Sequence, residues 1–326
     1  MKTKTLLSAV LFMLGAGHLV AQEKAGEQFP GQFSFVYPIG THGTKSNAYA
    51  YTFSLNTLSG STGQIKGCEI GGILNKNASH VSGFQVAGIA NLTQGNVEGV
   101  QIGGIYSKTD SVNGVQINGI LSQSNYVKGL QIGGILNRSK VVNGLQIGLI
   151  NVSDTITRGV AIGLVNIVKK NRFREWTVAT ADYLNLGISF KTGTPMFYTL
   201  ASLGANFQNE ALVATGFGIG HLHPISNRFT FQPELINYFY FPVDFTTQIK
   251  NTRVTHLKLG LVYNLTRKLG ISLAPSLYWA LKTNPNKTET FGYEQNSLKP
   301  LASFESRNGL RKYELGYGLS IGLNFH

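Results

Sequence analysis

Two histidines are the best candidates for metal chemistry in this sequence. His221 and His223 are two residues apart, so on a β-strand they share one face and, with a third ligand, would be able to hold a metal ion. No carboxylate or cysteine is placed to complete that set, and the turn residues 224–227 follow directly. A pair of interfacial or lumenal histidines explains the spacing better, so we expect no metal site.

The patterns that enzymes use are weak as well. The glycine pairs Gly103-Gly104 and Gly133-Gly134 lack the helix start and the lysine–hydroxyl pair of a phosphate-binding loop. The string Gly-x-Ser-x-Gly occurs at 318–322, but it lies within the alternating strand predicted at 311–326 and not at the strand-to-helix turn of a nucleophile elbow, and no His-Glu-x-x-His motif occurs. Three aspartates stand without a partner carboxylate at a recognisable spacing: Asp110, Asp154 and Asp182. We therefore expect no catalytic residues, no cofactor and no enzyme.

The N-terminus indicates export. Lys2 and Lys4 precede an apolar run from Leu6 to Val20, and Ala21 follows, which is typical of a secretory signal peptide over residues 1–21. The apolar run is short for a membrane-spanning helix, which needs roughly 20 residues. The single cysteine, Cys68, has no partner for an internal disulfide.

The composition fits a β-rich envelope protein. The chain has 39 glycines, 19 phenylalanines, 14 tyrosines and only 13% charged residues, with a net charge of +13. Such a surplus of positive charge favours anionic partners. Because the basic residues are scattered and no nucleic-acid motif appears, outer-membrane lipid or an acidic surface glycan is the expected partner.

A repeat dominates the middle of the chain. Seven units of the type Gly-Val/Leu-Gln-Ile-Gly-Gly-Ile-x-Asn follow one another at spacings of 16, 16, 15, 15, 15 and 15 residues. They open at Gly67, Gly83, Gly99, Gly114, Gly129, Gly144 and Gly159. One unit cannot bury its own apolar face, so we expect the copies to stack as a solenoid.

The period within each unit is that of a strand. The last two units lack one residue of the Gly-Gly step. If the extra glycine is a β-bulge, Leu130, Ile132 and Ile135 align with Leu145, Ile147 and Leu149 on one face. Asparagines recur at the end of the unit and are expected to form an amide ladder between rungs: Asn75, Asn91, Asn137, Asn151 and Asn166.

The C-terminal part alternates apolar with small or polar residues, as a membrane barrel requires. In the last strand, the residues predicted to face lipid are Tyr313, Leu315, Tyr317, Leu319, Ile321, Leu323 and Phe325. We predict seven strands, at 176–191, 196–207, 211–223, 228–241, 253–265, 269–282 and 311–326. A strand at 32–40 is expected to close the barrel as the eighth, since an open edge is not tolerated in lipid.

Two placements of the repeats remain open. In the first, the barrel has about eight strands, and the repeats form a solenoid between its first and second strands on the outer side. In the second, every repeat is a membrane strand in one barrel of about sixteen. The linkers between repeats look alike, whereas the connections of a membrane meander would alternate between its two sides. The repeats also contain few of the aromatic residues that membrane strands carry at the interfaces. Both observations favour the solenoid.

The first placement divides the chain into four parts. These are the signal peptide at 1–21, a barrel-closing strand with a lead-in strand at 22–60, the repeat module at 61–170 and the C-terminal barrel strands at 171–326.

The units GVQIGGI and GLQIGLIN, followed by GVAIGLVNIVKK and FKTGTPMFYTLASLGANF, resemble a family of uncharacterised surface-repeat proteins of Gram-negative envelopes. The similarity covers about Phe33 to Phe241. The resemblance implies a location at the outer membrane or cell surface, and it supplies no ligand, catalytic residue or cofactor.

Two functions follow as hypotheses. The first is an outer-membrane barrel that displays the repeats at the cell surface in a structural, adhesive or other interaction role. The alternative is a porin-like channel or small-solute pore, because sixteen strands enclose an aqueous channel whereas eight are filled by side chains.

Overall fold

The structure is a computed structural model that describes residues 27–207, 212–242, 252–283 and 300–326. It has two all-β parts, a stack of parallel strands and then a closed antiparallel barrel of eight strands. This confirms the predicted all-β class, the stacked module and the eight-stranded barrel. The sixteen-stranded alternative is wrong, and the predicted signal peptide lies outside the described residues.

The first part contains fourteen strands and one 3-10 helix over Gly43–Ala48. The strands are β1 (Gln28–Val36), β2 (Ile39–Gly40), β3 (Ala50–Thr62), β4 (Gln64–Gly71), β5 (Leu74–Asn77), β6 (Val81–Ala87), β7 (Ala90–Thr93), β8 (Asn96–Gly103), β9 (Tyr106–Asn118), β10 (Leu121–Gly133), β11 (Leu136–Ile147), β12 (Ile150–Ile156), β13 (Val160–Ile162) and β14 (Val165–Val168).

The second part holds the barrel and two short accessory strands, β19 and β23. The strands are β15 (Phe173–Ala181), β16 (Leu184–Thr194), β17 (Phe197–Asn206), β18 (Leu212–Gly220), β19 (His223–Pro224), β20 (Phe229–Pro242), β21 (Thr252–Asn264), β22 (Leu269–Thr283), β23 (Pro300–Glu305) and β24 (Arg311–Phe325).

Each repeat forms one rung of a parallel β-solenoid. Within the repeats, residues pair in parallel with those 14 to 16 positions further along the chain, as Gly83 does with Gly99 and Gly114 with Gly129. The sequence period is therefore the circumference of one rung. All seven repeat glycines stack in a single column along the solenoid.

The Gly-Gly pair is not the β-bulge that we predicted. Gly134 lies in a bend between β10 and β11, and a Cβ atom there would be 2.2 Å from the carbonyl oxygen of Gly119 in the preceding rung. The pair therefore makes the tight turn within the rung, and units six and seven have a shorter turn. The predicted alignment of Leu130 with Leu145 and of Ile132 with Ile147 is confirmed.

The N-terminal segment caps the solenoid and does not close the barrel. Strand β1 pairs in parallel with β3, for example Gln32 with Ser54. Phe29 packs there against His42 and Tyr49, with ring centroids 4.4 Å and 5.0 Å apart. The prediction of a barrel-closing strand at 32–40 is thus wrong, because this segment adds to the parallel stack.

The barrel closes on itself within residues 173–325. Strand β15 pairs with β24, Trp176 with Phe325. Following paired residues once round the barrel leads from Phe325 back to Leu315, ten residues earlier in β24. Such a stagger in eight strands implies a strand tilt of about 40° and an interior that side chains fill.

The eighth barrel strand comes from a segment that we predicted to be a single strand. The predicted segment 176–191 is a hairpin of β15 and β16 that turns at Asp182 and Tyr183. All eight barrel strands therefore follow the repeats in the chain, and the prediction that the repeats lie between the first two barrel strands is wrong.

The two ends of the barrel differ in their connections. The chain terminus shares one end with the connections 195–196, 221–228 and 265–268, whereas strands β15, β17, β20 and β22 end at the other end. The barrel begins at Phe173 on the first of these ends. The solenoid is consequently attached at the end with the chain terminus.

Candidate functional site

The solenoid interior is polar. Five glutamines, one from each of five successive rungs, are fully buried: Gln85, Gln101, Gln116, Gln131 and Gln146. From Gln101 onward, each donates its side-chain Nε2 to Oε1 of the glutamine one rung earlier, at 2.6–2.8 Å. Aligned amides polarise one another, so this glutamine ladder acts as one chain of donors directed toward the N-terminus.

The glutamine ladder ends on a carboxylate. Gln85 donates to Oε2 of Glu69 at 2.7 Å, Asn77 donates to the same oxygen at 2.7 Å, and Asn56 donates to Oε1 at 3.0 Å. An acceptor-only group suits this position because every neighbour donates to it. Glu69 is fully buried, and desolvation raises the pKa of its carboxyl group.

The Glu69→Gln variant is expected to remove a pH dependence of stability. Because the folded-state pKa is raised above its ordinary value of 4.5, stability is full below that pH and falls as pH rises through the higher folded-state pKa. We expect the unfolding free energy of the wild type to fall over this window, and that of the variant to fall less because the buried titrating carboxyl group is absent.

Urea unfolding at several pH values measures this difference. The matched control is Glu98→Gln, which removes a carboxylate from the solvent-exposed side of a later rung. Its unfolding free energy should change with pH as that of the wild type does. A Glu69→Gln variant with an unchanged slope would contradict the assignment of the pH dependence to Glu69.

The predicted asparagine ladder is confirmed in two segments. Asn75 donates to Asn91 at 3.0 Å. Asn137 donates to Asn151, and Asn151 to Asn166, both at 2.8 Å. The two segments are separated by Ser107 and Ser122, which Asn118 bridges with two hydrogen bonds of 2.6 Å each.

The prediction that the repeats stack to bury an apolar face needs correction. A single column of branched apolar residues is fully enclosed: Ile65, Val81, Val97, Val112, Val127 and Val142. The remaining Leu and Ile columns of the repeat lie on the outside, among them Ile105 and Ile135 at 43% and 48% exposure. Hydrogen-bonded Gln and Asn side chains fill most of the space between the two strands of each rung.

Two barrel threonines terminate the solenoid. Thr199 accepts a hydrogen bond of 2.6 Å from Asn166 Nδ2 and donates to the carbonyl oxygen of Gly163 at 2.7 Å. Thr192, its partner across the β16–β17 hairpin, donates to the carbonyl oxygen of Asn166 at 2.5 Å. The open end of the last rung is thereby satisfied by the barrel wall.

A buried charge cluster fills the barrel interior nearest the solenoid. Lys191 forms ion pairs of 2.9 Å with Glu175 and 2.6 Å with Glu234, and all three side chains are at most 5% exposed. Tyr198 donates to Glu234 at 2.9 Å, and Asn324 donates to Glu175 at 2.7 Å. We call Lys191, Glu175 and Glu234 together the lysine cluster.

The rest of the lumen is also occupied. His256 stacks on Tyr183 with ring centroids 3.9 Å apart and contacts Tyr278 at 5.6 Å. Toward the other end, Glu314 pairs with Lys282 at 2.9 Å. A void of about 20 Å³ remains beside Lys191, which is room for roughly one water molecule. The described interior therefore offers no path to a solute.

The outward face of β24 is apolar from Tyr313 to Phe325. All seven residues predicted to face lipid point away from the interior, with exposures between 43% for Phe325 and 61% for Tyr317. Neighbouring strands continue this belt with Leu259 at 44% and Leu273 at 48%. The alternating residues of β24, such as Glu314, Ser320 and Asn324, are buried inside.

The other sequence candidates do not converge. His221 and His223 have ring centroids 6.5 Å apart, and His221 Nδ1 lies 2.7 Å from the carbonyl oxygen of Met196. Asp154 pairs with Lys169 at 2.7 Å, and Asp182 accepts from the Leu319 amide at 3.0 Å. Within the described ranges, no three His, Cys, Asp or Glu side chains are grouped to hold a metal ion.

No helix among the described residues is long and apolar enough to span a membrane. Comparison of the chain with protein-family models, with curated proteins and with solved structures finds no match.

Proposed function

We propose that the chain is an outer-membrane β-barrel that anchors a β-solenoid as an interaction module. The observation that carries this proposal is the inverted barrel, with an apolar belt outside and the lysine cluster inside. A barrel surrounded by water would expose charges and bury Leu and Ile, whereas a lipid environment favours the opposite arrangement. The resemblance to envelope repeat proteins supports the same location.

The attachment point bears on which side of the membrane the repeats occupy. Outer-membrane barrels have short periplasmic turns and longer outer loops. Since the solenoid joins the end that carries the chain terminus, and the two longest connections of the barrel belong to the opposite end, this rule favours the periplasmic side for the repeats. The opposite end of the barrel then supplies the surface-exposed region.

Heat-modifiable migration tests membrane insertion. We expect the purified protein to require detergent, and to migrate differently on unboiled and boiled gels because a closed eight-stranded barrel resists unfolding in detergent. Identical migration of both samples, together with solubility in the absence of detergent, would contradict the proposal.

A labelling experiment tests the side. In a Cys68→Ser background, a Gln94→Cys variant carries its only thiol on an exposed position of the solenoid. We expect a membrane-impermeant maleimide to label this thiol only after the outer membrane of whole cells is permeabilised. Labelling of intact cells would instead place the repeats at the cell surface, as the sequence analysis predicts.

The channel alternative makes a separate prediction. Because the lysine cluster and the packed aromatic rings fill the lumen, we expect no stable conductance of porin size in a planar bilayer. A preparation with confirmed heat-modifiable migration serves as the control that folded protein is present. A regular open conductance would favour the pore.

A further inference from the structure

The solenoid has a continuous apolar surface that the proposed function leaves unused. Four outward columns are apolar in every one of the seven rungs, and they flank the turn between the two strands of each rung. We call them together the apolar edge. In the fifth rung its columns are Leu130, Ile132, Ile135 and Leu136, and each column continues through the equivalent positions of the other rungs.

The apolar edge is too extensive to be an ordinary solvated surface. Seven rungs at the usual strand spacing give it a length of roughly 29 Å. Its most prominent column includes Ile120 at 44% and Leu149 at 49% exposure. Soluble monomers rarely expose contiguous apolar patches of this size, and larger ones mark contacts with proteins or membranes.

Basic residues border the apolar edge on both faces of the solenoid. One face carries Lys66, Lys128 and Arg158, with Glu98 as the one acidic residue in the same column, and the other carries Lys76, Lys108 and Arg138. All six are exposed, and none forms an ion pair with another described residue. We call these six the basic border. Long basic side chains next to apolar surface place their charges at a water–lipid boundary.

The solenoid joins the barrel on its outer wall. Thr192 and Thr199, which bind the last rung, alternate with the inward-facing Lys191 and Tyr198, so they lie on the same outward side as Phe190. Phe190 packs on the exposed Trp176 with ring centroids 4.6 Å apart. Aromatic residues of this kind ring a barrel at the membrane interface. The last rung therefore meets the barrel at the height expected for that interface.

The shape of the apolar edge decides between a bilayer and a second copy. The edge is convex because it surrounds a turn, so two copies would touch along little more than one line. A fluid bilayer surface, in contrast, surrounds a convex ridge and offers anionic headgroups to the basic border. We infer that the apolar edge inserts into the surface of the bilayer that holds the barrel, with the basic border on anionic lipid headgroups. This inference rests on the proposed function.

Depth-dependent quenching in vesicles tests the inference. Full-length protein with Cys68→Ser and Ile120→Cys is labelled with the environment-sensitive dye NBD and reconstituted in phosphatidylcholine–phosphatidylglycerol vesicles. We expect doxyl-labelled lipid to quench roughly half or more of the emission, as for a side chain at the acyl boundary. The same label at Gln94→Cys, on the polar side of the solenoid, should stay accessible to aqueous iodide and unaffected by doxyl lipid.

A label at Leu319→Cys on the barrel belt separates the two proposals. Quenching by doxyl lipid at Leu319 but not at Ile120 would overturn the inference while retaining the membrane barrel. Loss of quenching at both positions would overturn both. Self-quenching of the Ile120 label that disappears on dilution with unlabelled protein, without quenching by doxyl lipid, would assign the apolar edge to a second copy instead.

Discussion

The Lys191→Met variant is expected to lose about 3–5 kcal/mol of unfolding free energy. Methionine keeps most of the alkyl volume but removes the cation that joins the two buried carboxylates at 2.9 Å and 2.6 Å. Glu234 then has no ion pair among the described residues, and Glu175 keeps only His326 at 3.2 Å. An uncompensated charge in a closed interior is far more costly than the ion pair is favourable. Urea unfolding of the protein in detergent micelles measures the loss.

A second lysine gives the matched control for this variant. Lys282→Met also removes a cation from an ion pair, but Glu314 keeps Lys312 at 3.2 Å, and Lys282 is 12% exposed. We expect a loss near 1 kcal/mol or less there. Adding Glu175→Gln and Glu234→Gln to Lys191→Met should recover much of the stability. Equal losses for the two lysine variants would show that the lysine cluster has no special role.

The Gly114→Ala variant is expected to destabilise the solenoid by about 3 kcal/mol or more. Gly114 has φ +140°, a conformation that residues with a Cβ atom rarely adopt, and its Cβ would lie 2.1 Å from the carbonyl oxygen of Gly99. Because the same column continues into the rungs on both sides, the backbone has little room to move away. Urea unfolding followed by circular dichroism measures the effect.

The control for this variant is another glycine at positive φ. Gly309 has φ +67°, but a Cβ atom there would meet nothing within 4 Å. Gly309→Ala carries the conformational strain without the clash, so its loss should be about 1 kcal/mol. If Gly114→Ala lost no more than Gly309→Ala, close stacking of the glycine column would not explain the repeat.

Periodicity predicted the architecture, but it did not predict which side chains of the repeats face the solenoid interior. The spacing of the repeat glycines gave the rung length, and the alternation in residues 313–325 gave the outward belt of β24. Alternation in the repeat shows which side chains share a face, yet it does not tell which face is enclosed. Glutamine stands at the same place as Gln116 in five of the seven units, and that recurrence was the available signal for the glutamine ladder.

Contacts between distant segments could not be predicted in the same way. Lys191 meets Glu175 and Glu234 only because the barrel closes with its particular stagger, and no local pattern encodes that closure. The β15–β16 hairpin was missed because its turn is only Asp182 and Tyr183, so the apolar run looked like one strand. Because the hairpin was not recognised, the predicted C-terminal strands numbered only seven. The N-terminal strand at 32–40 was therefore predicted to be the eighth strand that closes the barrel.

The glycine contacts repeat from rung to rung, and this repetition has a consequence for how such a molecule can change over evolutionary time. Gly114 meets Gly129 as Gly83 meets Gly99, so removing residues 115–129 would bring Leu130 directly after Gly114 and restore an intact unit. Glu69 at one terminus and the threonine pair at the other would keep their partners. Duplication or loss of single units can thus alter the reach of the module without any accompanying change in its anchor.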